Sequence, residues 1–451
     1  MSRDIKVKKG LDLRLKGEAE KTVVDAPRSK TFAIKPPDFH AVVPKMLIKK
    51  EGTKILAGEE LFFSKYNEAV RFTSPVSGTL KEIVRGDKRR ILEIVIEADS
   101  ENSYKDYGKM NASSASSEEV KNRVFESGCG AFLKQRPYDI VANPEDEPKA
   151  IYVSAFNSAP LAADLDFILG DKKAAFQEGI NALKKLTPGK VYLAVNKKVA
   201  SNLTDIQGVE LLTVSGPHPA GNVGVHIQNT DPINMGDRVW TVGAEDVSII
   251  GNLFLTGQYR AERTIAVAGS ASKEQDRKYY KTYIGANIED LIGEVNDEQT
   301  RVISGDVYTG LRLSNKQYVS FYDNTLTLIP EGNNYRMFGW LPFTYNGIPS
   351  MSKTSLSWMF PNKKYEVDTN LNGEERALVV TGEMEEVMPL DVFPMQLLKA
   401  CMTGNIEKME SLGIYEVIPE DFALIDYVNT SKLEAQEIIR LGLDLMITEV
   451  G

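Results

Sequence analysis

Four stretches of unlike patterning predict a multidomain α/β protein. The first stretch is built of short strands punctuated by glycine, the second alternates strands with helices, and the last carries apolar residues at helical spacing. At 451 residues the chain has room for about three or four domains.

Residues 1–105 read as β structure. "LIKKEGTKILAGEELFF" is cut by Gly52 and Gly58, "FTSPVSGTLKEIV" turns at Pro75 and Gly78, and "ILEIVIEA" alternates as a strand does. Both halves repeat one order of turn glycine and strand, which predicts a barrel-sandwich hybrid of the biotinyl- and lipoyl-carrier kind. Counting back from Pro75 to the hairpin tip of such a carrier lands on Asn67, with Lys65 offset from it. The unit therefore reads as carrier-like without an attachment lysine, a docking block.

Residues 106–258 read as a Rossmann-like α/β domain. It is entered through a polar, serine-rich linker that ends in a helix, with Ser117 at its start and Glu118 and Glu119 in the first turn. "AIYVSAF", "KVYLAVN" and "VELLTVSG" are strands. "KKAAFQEGINALKKL" is a helix whose Ala174, Phe176, Ile180, Leu183 and Leu186 gather on one face. Residues 259–378 read as a β-grasp domain with extra strands. "RTIAVAGS", "KYYKTYIG", the short helix "NIEDLIGEV" and "TRVISGDVYTG" form its β-β-α-β unit, and "YVSFYDNTLTLIPEG" follows. Residues 379–451 are helical, with apolar faces in "PMQLLKACM" and "KLEAQEIIRLGLDLMI".

Composition narrows the function classes. The chain has 54 basic and 63 acidic residues, a net charge of −9, which argues against nucleic acid as a partner. "VSIIGNLFLTG" and "RALVVTG" fall well short of the ~20 apolar residues that span a bilayer. "MSRDIKVKKG" lacks the apolar core of a signal peptide, so a cytosolic protein without membrane insertion is expected. Cys129 and Cys401 lie too far apart to read as a disulfide framework or metal knuckle, and His40, His218 and His226 are too scattered for a zinc site.

The candidate ligand or partner loop is "GPHPAGNVGVHI", with Gly216, His218, Gly221 and Gly224, after the strand "VELLTVS". Ligands of α/β sheets gather at such strand ends. The prolines remove amide donors and the spacing is not GxGxxG. A tight turn with a packed His218 is the alternative. The aromatic-rich segment 336–360, with Phe338, Trp340, Phe343, Tyr345, Trp358 and Phe360, is either a docking surface or core.

"KKGLDLRLKG", "FTSPVSGTL", "GPHPAGNVGVHI", "GNLFLTG", "RVISGDVYTG" and "EEVMPLDVFPMQLL" span nearly the whole chain. In this order they resemble the electron-input subunits of respiratory NADH dehydrogenases and of Rnf complexes. Within that group they are most similar to the A-subunit family of the sodium-translocating NADH:quinone oxidoreductases. The resemblance implies a peripheral subunit on the cytoplasmic face of the bacterial inner membrane. It would work in a complex that passes electrons from NADH to quinone and exports sodium. The partners implied are the pump's other subunits, B to F, the membrane B subunit first among them, and a quinone. FAD, FMN, riboflavin and iron belong to other subunits.

The cousins' functional residues are missing here. Their flavin loop corresponds to "ESGCGAFLKQRPYD", where Gly128 and Gly130 remain but bulky Phe132, Leu133, Lys134 and Gln135 follow. Their acidic ECEP-like motif reads "NSAP", residues 157–160. Their cluster cysteines align with Glu383, Glu386, Pro389 and Phe393, and with Pro419, Phe422, Ile425 and Asn429, none of them a soft thiolate. The resemblance thus implies a ferredoxin-like tail without clusters and a chain that binds no redox cofactor. It is expected to act catalytically only as part of the translocase. A stand-alone NAD- or flavin-dependent oxidoreductase and a ligand-free assembly scaffold are the competing readings.

Overall fold

A computed structural model describes residues 3–314, 316–332, 347–349 and 357–450. Phe338, Trp340, Phe343 and Tyr345 of the aromatic-rich segment lie outside the described residues.

A seven-stranded sheet forms the centre. Its order is Arg3–Lys6, Glu210–Ser215, Lys190–Asn196, Ala150–Ser154, Val239–Gly243, Lys134–Arg136, Ile140–Val141. The first five strands are parallel, and the last two pairings, through the reversed strand Lys134–Arg136, are antiparallel. Period-2 alternation divides its core. Ile151 and Val153 join the cluster that contains Phe176, Ile180 and Leu253, whereas Ala150 and Tyr152 join the one that contains Leu398, Phe422 and Leu443. Helices Lys173–Leu183 and Ala244–Thr256 therefore cover one face and the C-terminal helices the other. The tail comprises Pro394–Met402, Ile406–Ser411, Ala423–Val428 and Ala435–Glu449, among shorter turns.

Two small sheets make the hybrid barrel. Thr31–Ile34, Ile91–Ala98, Gly78–Arg85 and Lys54–Ile55 form one, and Pro44–Met46, Glu60–Ser64 and Asn67–Thr73 the other. Stacked Phe62 and Phe72, with ring centroids 4.5 Å apart, fill the space between them, and Phe39 carries this core on to Phe321 at 4.8 Å. A six-stranded mixed sheet follows, ordered Leu311–Leu313, Thr300–Ser304, Thr325–Pro330, Glu262–Ala268, Tyr279–Tyr283, Val23–Asp25, with the helix Ile288–Ile292 against it.

The structure departs from the sequence expectation in three places. Strands Arg3–Lys6 and Val23–Asp25 leave the barrel unit and edge the seven- and six-stranded sheets, in register with Glu210–Ser215 and Tyr279–Tyr283. Lys65 and Tyr66 form the hairpin turn, while Asn67 already stands in the strand opposite Ser64. A lysine thus does occupy the tip, because the second strand already begins at the position counted from Pro75. The linker helix runs Ser117–Glu126, but Ser117 is its first residue rather than its cap. Ser116 is its cap, its Oγ accepting the Glu119 N–H at 3.2 Å while Glu119 accepts the Ser116 N–H at 2.8 Å.

Candidate functional site

The loop 216–224 lies where the sheet, the N-terminal segment, the mixed sheet and the tail meet. His218 is 3% exposed. Its N–H donates to Asp12 Oδ1 at 2.8 Å, and its carbonyl accepts the Leu11 N–H at 2.9 Å. Its ring stacks on Tyr308 at 5.0 Å, and Tyr427 stands edge-on to Tyr308 at 6.1 Å. Ser158 of "NSAP" closes the cluster: its Oγ accepts the Gly221 N–H at 2.8 Å and meets His218 Nδ1 at 3.0 Å. The Gly221 carbonyl accepts Ser154 Oγ–H at 2.8 Å, and the Gln436 amide donates to the Tyr308 carbonyl at 3.0 Å. "KKGLDLRLKG", "NSAP", "GPHPAGNVGVHI" and "RVISGDVYTG" therefore converge here. "EEVMPLDVFPMQLL" joins them, since the Gly10 N–H donates to the Glu386 carbonyl at 3.2 Å.

The glycines of the loop serve close packing rather than an open cradle. A Cβ on Gly221 would lie 2.7 Å from the Ser158 nitrogen, and one on Gly224 2.4 Å from Asp421 Oδ1. Gly216, with φ +145°, faces the Val7 carbonyl at 2.5 Å in the same sense. The amides of Ala220 and Asn222 are spent on the Pro217 and Pro219 carbonyls, both at 2.9 Å. A phosphate would find few donors. Two buried groups here have spare capacity, Tyr308 Oη and Asp421 Oδ1, neither with a hydrogen-bond partner among the described residues.

The flavin-loop segment and most of the second cluster segment are packed too, whereas Glu386 and Phe393 of the first cluster segment are exposed. A Cβ on Gly128 would strike the Thr73 side chain, and one on Gly130 would strike the Phe125 ring, both at 2.4 Å. Phe422 and Ile425 fill the tail core, and Asn429 Nδ2 donates to the Leu433 carbonyl at 2.9 Å. Among the described residues no group of His, Cys, Asp and Glu is arranged to hold a metal ion, and no helix is long and apolar enough to cross a membrane. Trp358 and Phe360 are exposed, which fits a surface role for those two.

Sequence reasoning missed His226, which is 1% exposed and donates from Nε2 to the Ala220 carbonyl at 2.8 Å. Its signal was its apolar neighbours Val225 and Ile227, which place it on a buried turn. Burial pushes both His218 and His226 from an ordinary 6.5 down to about 4. Between those values the unfolded chain binds a proton that the native site refuses, so stability falls as pH drops from 6.5 towards 4. Asp246, raised to about 6 by burial, and Glu420, raised to about 7, act with the opposite sign. The comparison with a variant isolates one histidine. His226→Gln should flatten the dependence by up to about 1.4 kcal/mol per pH unit, read from urea unfolding across that range.

A barrel-sandwich block, a largely parallel α/β sheet, a mixed sheet and a helical tail, locked through one loop, define a class of multidomain scaffold. Family models agree with it. The "NqrA N-terminal barrel-sandwich hybrid domain" matches residues 5–99, the "NqrA second alpha/beta domain" 115–259 and the "NQRA C-terminal domain" 264–315. The chain is similar to the A subunit of the Na(+)-translocating NADH-quinone reductase of Cellvibrio japonicus, 35% identical over 97% of this chain and 98% of the relative. The same-named protein of Neisseria meningitidis serogroup B is 34% identical over 99% and 100%. The chain belongs to the A-subunit family of the Na(+)-translocating NADH-quinone reductases. A solved NAD+-reducing [NiFe]-hydrogenase overlaps at a TM-score of 0.38 and 11% identity, covering 75% of this chain and 62% of that one, a level that carries no weight.

Proposed function

We propose that this chain serves as the peripheral, cytoplasm-facing A subunit of a sodium-translocating NADH-quinone reductase. In that complex it supports electron transfer from NADH to quinone coupled to sodium export. It contributes no redox centre of its own and docks on the membrane B subunit. The observation that carries this reading is the near-full-length similarity to relatives of that name. The packing of Gly128 and Gly130, and of Phe422 and Ile425, in the segments that hold flavin and a cluster in the cousins supports the cofactor-free part.

In this reading residues 1–105 are the hybrid block less its two outlying strands, and 106–258 are Rossmann-like. The parallel order 210–215, 190–196, 150–154, 239–243 supports the latter. Residues 259–378 are a β-grasp unit, supported by a sheet whose first and last core strands run parallel side by side. Residues 379–451 are a ferredoxin-like tail without clusters.

Gly216, His218, Gly221 and Gly224 act as the keystone that holds the protein in its assembling shape. A second reading, a quinone ring reaching this junction, is favoured by the Tyr308 hydroxyl beside His218, which has no hydrogen-bond partner among the described residues. The test is His218→Ala in the reconstituted complex, with absorbance and intact mass of the purified chain alongside. The keystone reading expects weakened assembly with the KM for quinone unchanged in whatever complex forms. A raised KM with normal assembly would install the quinone reading. Assembly and turnover both unchanged would remove the loop from function. A yellow or iron-bearing chain would overturn the cofactor-free reading, and added mass at Lys65 would make the barrel a working carrier.

A further inference from the structure

Two sheets end facing each other across one groove. The strand Asn67–Thr73 is the outer strand of its three-stranded sheet, and Ile140–Val141 is the outer strand of the seven-stranded sheet. The Thr73 end of the first is covered, its Oγ1 donating to the Ser127 carbonyl at 3.1 Å. The rest opens onto a groove of about 500 Å³ that Asn67, Glu68 and Val70 line on one side and Ile140, Val141 and Asn143 on the other. Unpaired strand edges are templates for a further strand, and soluble proteins cover or blunt them.

Side-chain amides stand in this groove where a peptide's amides would. Asn67 Oδ1 accepts the Ala69 N–H at 3.0 Å, and Asn67 Nδ2 donates across the groove to Asn143 Oδ1 at 2.8 Å. Asn143 Oδ1 also accepts the Glu145 N–H at 3.1 Å. Each rim carries a carboxylate: Glu68, its side chain 74% exposed and ion-paired at the surface with Lys45 at 3.5 Å, and Glu145, exposed on the opposite lip. Buried Val70 and half-buried Ile140 and Val141 supply apolar ground between them.

We propose that this groove receives an extended segment of another protein of the complex, added as a strand between the two edges. The chemistry selects its character. Main-chain N–H and C=O groups pair with the edges, apolar side chains at alternate positions meet Val70, Ile140 and Val141, and a lysine or arginine answers Glu145 and shares Glu68 with Lys45. The inference rests on the reading that the chain works inside a multisubunit complex.

The test compares hydrogen exchange of the isolated chain and the purified complex. Amides at 67–70 and 140–141 should exchange at least tenfold more slowly in the complex. A photo-crosslinker replacing exposed Tyr66 should join one stretch of one other protein of the complex. Glu68→Gln with Glu145→Lys should weaken assembly at least tenfold while leaving the thermal unfolding of the isolated chain nearly unchanged, since Glu145 is exposed and the Glu68–Lys45 pair lost is a solvent-exposed one of little worth. Unchanged exchange in a complex that contains the chain would overturn the proposal, as would crosslinks to lipid or to a second copy. A chain that never enters the complex would instead overturn the functional reading beneath it.

Discussion

Gly251→Ala is expected to destabilise the chain by about 2–4 kcal/mol, although helix propensity alone favours alanine by about 1 kcal/mol. Gly251 sits within the helix Ala244–Thr256, where it crosses Lys173–Leu183 backbone to backbone. A Cβ there would lie 1.7 Å from the Ala175 carbonyl oxygen and 2.7 Å from the Gly179 nitrogen. The contact is reciprocal, since a Cβ on Gly179 would lie 2.0 Å from the Val247 carbonyl. Main chain cannot rotate aside as a flexible side chain can. The helices must therefore separate, and the interior packed around Phe176, Ile180 and Leu253 loosens with them. Gly170→Ala is the control, because its nearest neighbour would be the Phe167 carbonyl at 3.4 Å, an ordinary contact. Urea unfolding of both variants decides the matter. Gly251→Ala as stable as the parent would mean that the helices do not cross this closely.

Much of this architecture is legible in local sequence. The glycine-cut strands around Gly52, Gly58 and Gly78 announce the barrel because the first two turns need a left-handed backbone, with φ +81° and +83°, and the third a close approach. Gly78 would place a Cβ 2.0 Å from the Glu97 carbonyl. The alternation of "AIYVSAF" with "KKAAFQEGINALKKL" announces a covered parallel sheet. What escapes is pairing over distance. "RDIK" shows only that it is extended, and nothing in it names Glu210–Ser215 as its neighbour. The site behaves likewise. The loop 216–224 stands out by its Gly, Pro and His, but Asp12, Ser158 and Tyr308, the residues that fix His218, are each ordinary in their own stretch. The prolines and glycines that looked like a ligand loop are equally what a crowded crossing requires, and only the packing separates the two.

Arg136→Met should cost about 3–5 kcal/mol and loosen the tail from the sheet. Arg136 lies in the strand Lys134–Arg136, its side chain 3% exposed, and Nη1 donates to Asp421 Oδ2 at 2.9 Å. Nη2 stands 3.5 Å from Glu420. Asp421 Oδ2 also accepts the Ile418 N–H at 2.9 Å, so this carboxylate both caps the start of the turn Pro419–Phe422 and anchors it to the sheet. The surrounding carboxylates hold the guanidinium firmly charged, above its usual range. Removing it leaves Asp421 buried and unpaired, and burial then drives that carboxyl towards protonation. The loss is the cost of an uncompensated charge rather than the worth of the pair, so a second change should return most of it. Arg136→Met combined with Asp421→Leu should recover more than half of the lost stability in urea unfolding. It should not restore the loop, because Gly224 packs directly on Asp421 Oδ1 and Arg136 Nη1, at 2.4 and 2.7 Å from the place of a Cβ. Protease cleavage within 216–224 should therefore stay faster in the double variant than in the parent, even where its unfolding midpoint matches. A double variant no more stable than Arg136→Met alone would show that the ion pair is not what joins tail to sheet.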